Sequence, residues 1–159
     1  MFKFWYRNGQ HHRNGDEPVV ISSNGTKCWY RNGRLHRDGG KPAVMYDDGT
    51  KYWYRNGQCH RDGDEPAIIN PDGIKCWYRN GRFHRDGDRP AVIYANGSRY
   101  WYRNGQRHRD GGRPAVMHAN GTREYWINGE RWKELPNGML GLGIVMIRKG
   151  GETCPKTVW

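Results

Sequence analysis

Apolar residues come in short runs along this chain, and a glycine, a proline or an Asn/Asp-Gly pair follows each run within a few positions. Across residues 2–129 every ten-residue window contains Gly or Pro, which leaves no room for a stable helix. The runs are rich in Val, Ile, Tyr and Trp alternating with Lys and Arg, the pattern of short half-buried strands. The prediction is an all-β chain.

The strands recur. Trp-Tyr-Arg-Asn-Gly begins at Trp5, Trp29, Trp53, Trp77 and Trp101, and a degraded copy, Tyr125-Trp126-Ile127-Asn128-Gly129, follows at the same 24-residue spacing. His12, His36, His60, His84 and His108 keep that register, as do Pro18, Pro42, Pro66, Pro90 and Pro114. Each repeat carries two hairpin signals. In Tyr102-Arg103-Asn104-Gly105-Gln106-Arg107, Asn-Gly suits both φ > 0 positions of a type I′ turn; in Tyr94-Ala95-Asn96-Gly97-Ser98, a type I turn with Gly97 left-handed closes a three-residue loop. The predicted architecture is an antiparallel single-sheet meander of tandem 24-residue β-hairpin repeats, five full and one degenerate, over residues 2–129. A β-solenoid with one coil per repeat is the alternative, and two hairpin turns per repeat favour the meander.

With these registers, alternation places Trp, His, Ala and Ile/Met on one face with a Lys/Arg border, and Tyr, Tyr and Val on the other. Residues 130–159 break every column: Trp132 stands where His is due, Gly138 where Pro is due, and 140–147 is more apolar than any repeat. This segment is expected to cap the array's last open edge. The N-terminal edge carries only Lys3 as protection and is expected to allow self-association.

The aromatic strand, Asn-Gly, the following His and the second Asn/Asp-Gly resemble MORN repeats, here Trp101, Asn104-Gly105, His108 and Asn120-Gly121. The His-Arg-Asp-Gly-x-x-Pro-Ala variant is most similar to MORN-related repeat proteins of giant DNA viruses and bacteriophages. Two departures stand out. Tyr52-Trp53-Tyr54 lacks the family's glycine between tyrosine and tryptophan, and Arg61-Asp62 separates His60 from Gly63. The resemblance implies a hairpin-repeat sheet, a non-enzymatic binding role and a host-cytoplasm or virion setting.

Charge narrows the partner. The net charge is +11 with 35% hydrophobic residues, yet 8 Trp, 10 Tyr and 3 Phe set the chain apart from disordered sequences. Lys75, Arg79, Arg82, Arg85, Arg89, Arg99, Arg103, Arg107, Arg109 and Arg113 crowd residues 74–121 against only Asp86, Asp88 and Asp110. The candidate anion or partner site is therefore Lys75, Trp77, Arg79, Arg99, Trp101, Arg103, Arg107 and Arg109, with Arg99, Trp101 and Arg103 alternating onto one face as an aromatic platform. Reversing Lys51 and Arg55 in the net-negative third repeat is expected to matter less.

Four tandem His-Arg-Asp triplets share letters with a kinase catalytic loop, but no glycine-rich nucleotide loop accompanies them and catalytic sites do not come in tandem. His is expected to pack on the cross-strand Trp while Arg and Asp organise the loop. No metal site, cofactor, small-molecule substrate or catalytic residue is expected: column histidines should lie about 9.6 Å apart, too far to share one zinc. Cys28, Cys59, Cys76 and Cys154 form no CxxC pair, and the same-column Cys28 and Cys76 sit two repeats apart, so free thiols in a reducing compartment are expected. The N-terminus has no apolar core followed by small residues, and the longest apolar run, Ile144-Val145-Met146-Ile147, is strand-sized, so neither a secretory leader nor a membrane span is expected. The expected function is a cytoplasmic scaffold that binds a protein or another copy of itself. Nucleic acid or an anionic membrane surface is the alternative partner.

Overall fold

The computed structural model describes residues 3–13, 15–135, 138–142 and 145–148. These form strands and turns with no helix, and every ladder is antiparallel, which excludes a solenoid of parallel coils. Among the described residues no helix is long and apolar enough to cross a membrane. The chain divides into two compact units, Met1–Arg82 and Phe83–Trp159.

In the first unit the sheet runs Lys3–Phe4, Val20–Ile21, Lys27–Cys28, Val44–Met45, Lys51–Tyr52, Ile68–Ile69, Lys75–Cys76, so spatial order equals chain order. In the second it runs Val92–Ile93, Arg99–Tyr100, Val116–Met117, Arg123–Ile127, Glu130–Glu134, Met139–Leu142, Val145–Arg148. The registers match the expected turns: Val92 faces Tyr100, and Tyr102 faces Arg107. Asn104 and Gly105 have φ of 51° and 89°, the two left-handed positions of a type I′ turn. Gly97 at φ 87° closes the other loop, where Tyr94 N–H donates to Ser98 C=O at 2.9 Å.

The aromatic strand of each full repeat is interrupted at its tryptophan, Trp5, Trp29, Trp53, Trp77 or Trp101. Lys27–Cys28 belongs to the main sheet, whereas Tyr30–Arg31 and Arg34–Leu35 form a separate two-stranded ladder. Trp29 is the joint: its N–H donates to Ala43 C=O at 2.8 Å on one side, and its C=O accepts His36 N–H at 3.0 Å on the other. Ala43, Ala67, Ala91 and Ala115 are fully buried, and Trp29, Trp53, Trp77 and Trp101 nearly so. The core is thus a repeated Trp and Ala layer.

Glu130–Glu134, Met139–Leu142 and Val145–Arg148 extend the second unit's sheet beyond the last Asn-Gly turn. Leu140 is fully buried against Tyr125 and Trp132, so the tryptophan that replaces the column histidine serves an apolar cluster. Cys154 and the rest of 149–159 lie outside the described residues.

Candidate interaction surface

The type I′ turn leaves both of its central amides pointing outward, because the hairpin's own bonds use only the flanking residues. Successive repeats use these free donors. Gly57, Gly81, Gly105 and Gly129 donate to the carbonyls of Leu35, Cys59, Phe83 and Arg107 at 2.8–2.9 Å. Asn56, Asn80, Asn104 and Asn128 donate to Nδ1 of His36, His60, His84 and His108 at 3.0–3.1 Å. An Nδ1 that accepts carries no proton, so each imidazole's hydrogen is on Nε2, where it donates to Asp38, Asp62, Asp86 or Asp110 at 2.8–2.9 Å. Both nitrogens of these four rings are therefore occupied.

The Asp that follows each His gathers a second cation. Arg31 reaches Asp38 at 3.0 Å, Arg55 reaches Asp62 at 2.9 Å, and Arg103 reaches Asp110. The hydrogen bond from His, followed by the nearby guanidinium, holds these three carboxyls below the usual range. The Arg beside His turns the other way and lies over tryptophan: Arg37 stands 3.8 Å from the Trp29 ring centroid, Arg61 4.0 Å from Trp53 and Arg109 3.9 Å from Trp101. The loop role expected of Arg and Asp is what forms, and it is the guanidinium that is laid on the indole.

Two of these arginines also reach one loop back. Arg37 grips Asp16 through Nε and Nη2 at 2.6 and 3.0 Å, and Arg109 grips Asp88 at 2.6 and 2.8 Å. Where the loop has glycine in place of that Asp, at Gly40 and Gly112, the next residue supplies a further cation to the preceding loop: Lys41 to Asp16 and Arg113 to Asp88, both at 2.5 Å. The Asp16 and Asp88 carboxyls are held low, chiefly by the arginine hydrogen bond.

Paired charges change the sequence-derived site. Trp77 and Trp101 are only 6% exposed, and the Arg109 guanidinium covers the Trp101 face on which a base would stack, so Arg99, Trp101 and Arg103 do not build an open aromatic platform. Arg103 is spent on Asp110 and Arg109 on Asp88. Arg107 bonds the Tyr102 hydroxyl at 3.3 Å and lies 4.9 Å from the Trp126 ring, and Arg79 is engaged as well. The cavity of about 280 Å³ between the His84 and His108 loops is lined by these same paired groups. Of the candidate residues, Lys75 and Arg99 are exposed, and their side chains have no hydrogen bond or ion pair among the described residues.

Those two belong to a column that net charge alone does not single out. In the first unit Lys3, Lys27, Lys51 and Lys75 are all exposed and carry no ion pair among the described residues. Strand pairing sets half-buried aliphatic residues between them: Ile21 between Lys3 and Lys27, Met45 between Lys27 and Lys51, Ile69 between Lys51 and Lys75. The second unit repeats the motif with Arg99 and Arg123 flanking Met117. A groove of about 620 Å³ opens on the first unit's row, with Met45, Lys51 and Ile69 along it and Pro42, Trp53 and Pro71 around it. The opposite face is aromatic, with Tyr46 44% exposed and Tyr94 40% exposed.

No protein-family model matches the chain, and no curated protein matches it significantly.

Proposed function

We propose that this chain is a non-enzymatic repeat scaffold that holds a protein partner along its extended basic and aliphatic face. The observation that carries the reading is the division of labour among cations. Arg31, Arg37, Arg55, Arg61, Arg103 and Arg109 are engaged by aspartates or indoles, whereas the Lys3, Lys27, Lys51 and Lys75 column is left exposed at regular intervals beside Ile and Met. Regular spacing of unspent charge over several strands suits a long partner better than a small molecule. The four loop histidines have both ring nitrogens engaged, which leaves them no lone pair for base catalysis or metal ligation. The free Cys28, Cys59 and Cys76 fit a reducing cytoplasm, and the MORN-like sequence supports a viral or phage source.

The test is a photo-crosslinking residue placed at Lys51, or at Tyr46 on the opposite face, followed by capture from host extract at high salt after nuclease. A protein crosslinked through position 51 and not through 46 supports the scaffold. Capture of nothing but nuclease-sensitive material moves the assignment to nucleic acid, the alternative for which steep salt dependence is the signature.

A further inference from the structure

We propose that the lysine row of the first unit is a docking track for an extended acidic segment of a partner protein, with the carboxylates at every third residue and aliphatic residues between them. The proposal rests on the scaffold reading and names the chemistry of its partner.

Spacing carries the argument. Lys3, Lys27, Lys51 and Lys75 occupy alternate strands of one sheet, so neighbouring lysines are about 9.6 Å apart and the row runs about 29 Å. Three residues of an extended polyproline-type chain advance about 9.3 Å, so the mismatch reaches only about 1 Å over the whole row. A helix presents the same face every seven residues, about 10.5 Å, and would drift by nearly 3 Å over the same row. The track therefore favours an extended segment over a helical one.

Local chemistry separates peptide from nucleic acid. Between the lysines the row offers Ile21, Met45 and Ile69, which suit aliphatic side chains and provide no stacking surface for bases. The nearby indole, Trp53, lies beneath Arg61 at 4.0 Å. Two carboxylates, Asp48 and Glu65, stand in the groove; Asp48 is held by the Thr50 N–H at 2.7 Å and Glu65 lies 3.8 Å from Arg61. A uniformly charged polyanion would meet both, whereas a peptide with neutral residues between its carboxylates can pass them. Pro42 and Pro71 beside Lys51, with Met45 and Ile69, give those neutral residues an apolar contact in this stretch.

The experiment is fluorescence anisotropy on the full chain with a labelled synthetic peptide carrying Glu at every third position and Leu or Pro between. Comparators are a peptide of the same composition with its Glu residues in one block, and a single-stranded oligonucleotide of equal charge. Saturable binding of the periodic peptide, at least tenfold tighter than the blocked one, is expected. Lys51→Glu should weaken it at least tenfold, and a peptide in which a single internal Glu is replaced by Lys, the other Glu residues being kept, should recover binding to the Lys51→Glu variant. Arg55→Glu should leave the affinity within about threefold, because Arg55 already faces Asp62 at 2.9 Å; its fold is checked by circular dichroism. Equal affinity for periodic and blocked peptides, equal loss from Lys51→Glu and Arg55→Glu, or oligonucleotide binding tighter than peptide with the same Lys51 dependence would each overturn the proposal. If the peptide fails while a crosslinker at position 51 still captures a protein, the acidic-segment assignment falls and the scaffold reading stands. Failure of both removes the scaffold reading too.

Discussion

Replacing His60 with phenylalanine keeps a ring in the loop and removes both of its hydrogen bonds. His60 is 9% exposed; its Nδ1 accepts the Asn80 N–H at 3.1 Å, and its Nε2–H donates to Asp62 at 2.9 Å. The amide bond is partly buried and loses its acceptor outright, which costs about 1–1.5 kcal/mol. The bond to Asp62 is charge-assisted, but that carboxylate is 79% exposed, so water replaces most of it and about 0.5 kcal/mol is a fair share. The total is about 1.5–2 kcal/mol. For a chain of this size that lowers the thermal midpoint by roughly 3–8 °C. Repeat arrays open in nearest-neighbour steps, so the sharper readout is local: amide exchange of Asn80 by NMR should accelerate about tenfold relative to amides of the second unit. His60→Gln, whose amide offers both an acceptor and a donor, should recover part of the loss. A His60→Phe variant within 0.5 kcal/mol of the parent, with Asn80 exchange unchanged, would show that the histidine bridge does not hold neighbouring repeats together.

Acid should loosen the array. Asp38, Asp62 and Asp110 titrate below the ordinary carboxylate value because of the hydrogen bonds from their histidines, so their stabilisation is fully present above about pH 4 and drains as pH falls through the lower folded-state values. Thermal melts between neutral and strongly acidic pH should show that fall, and Asp62→Asn should flatten it. Asn104 sits at φ 51°, so Asn104→Ala should cost about 1 kcal/mol in urea denaturation while Asn104→Gly stays within a few tenths; equal losses would refute the turn argument. Burial pushes the Cys59 thiol up to about 12 and the Cys76 thiol up to about 11, so peptide-mapped alkylation at neutral pH should be far slower in the native chain than in denaturant. Native rates equal to the denatured ones would contradict that burial.

Much of this architecture was legible in the sequence because its determinants are local. Asn-Gly at Asn104-Gly105 and Gly97 after Asn96 specify turn types, turn types fix register, and register fixes which side chains share a face. The Lys/Arg border of the tryptophan face was visible for the same reason. Tertiary structure alone decided which charges are spent. Arg37 meets Asp16 and Arg109 meets Asp88 across 21 residues, and Asn80 meets His60 across 20, contacts that exist only once one repeat is laid on the next. Counting charges per repeat pointed to residues 74–121, where Arg103 and Arg109 turn out to be paired and Trp101 covered. It passed over Lys51, exposed and unpaired among the described residues, in a repeat whose net charge is negative. A sum of charges in sequence does not register pairing, because an ion pair depends on distances of a few ångströms between groups that the chain brings together only on folding.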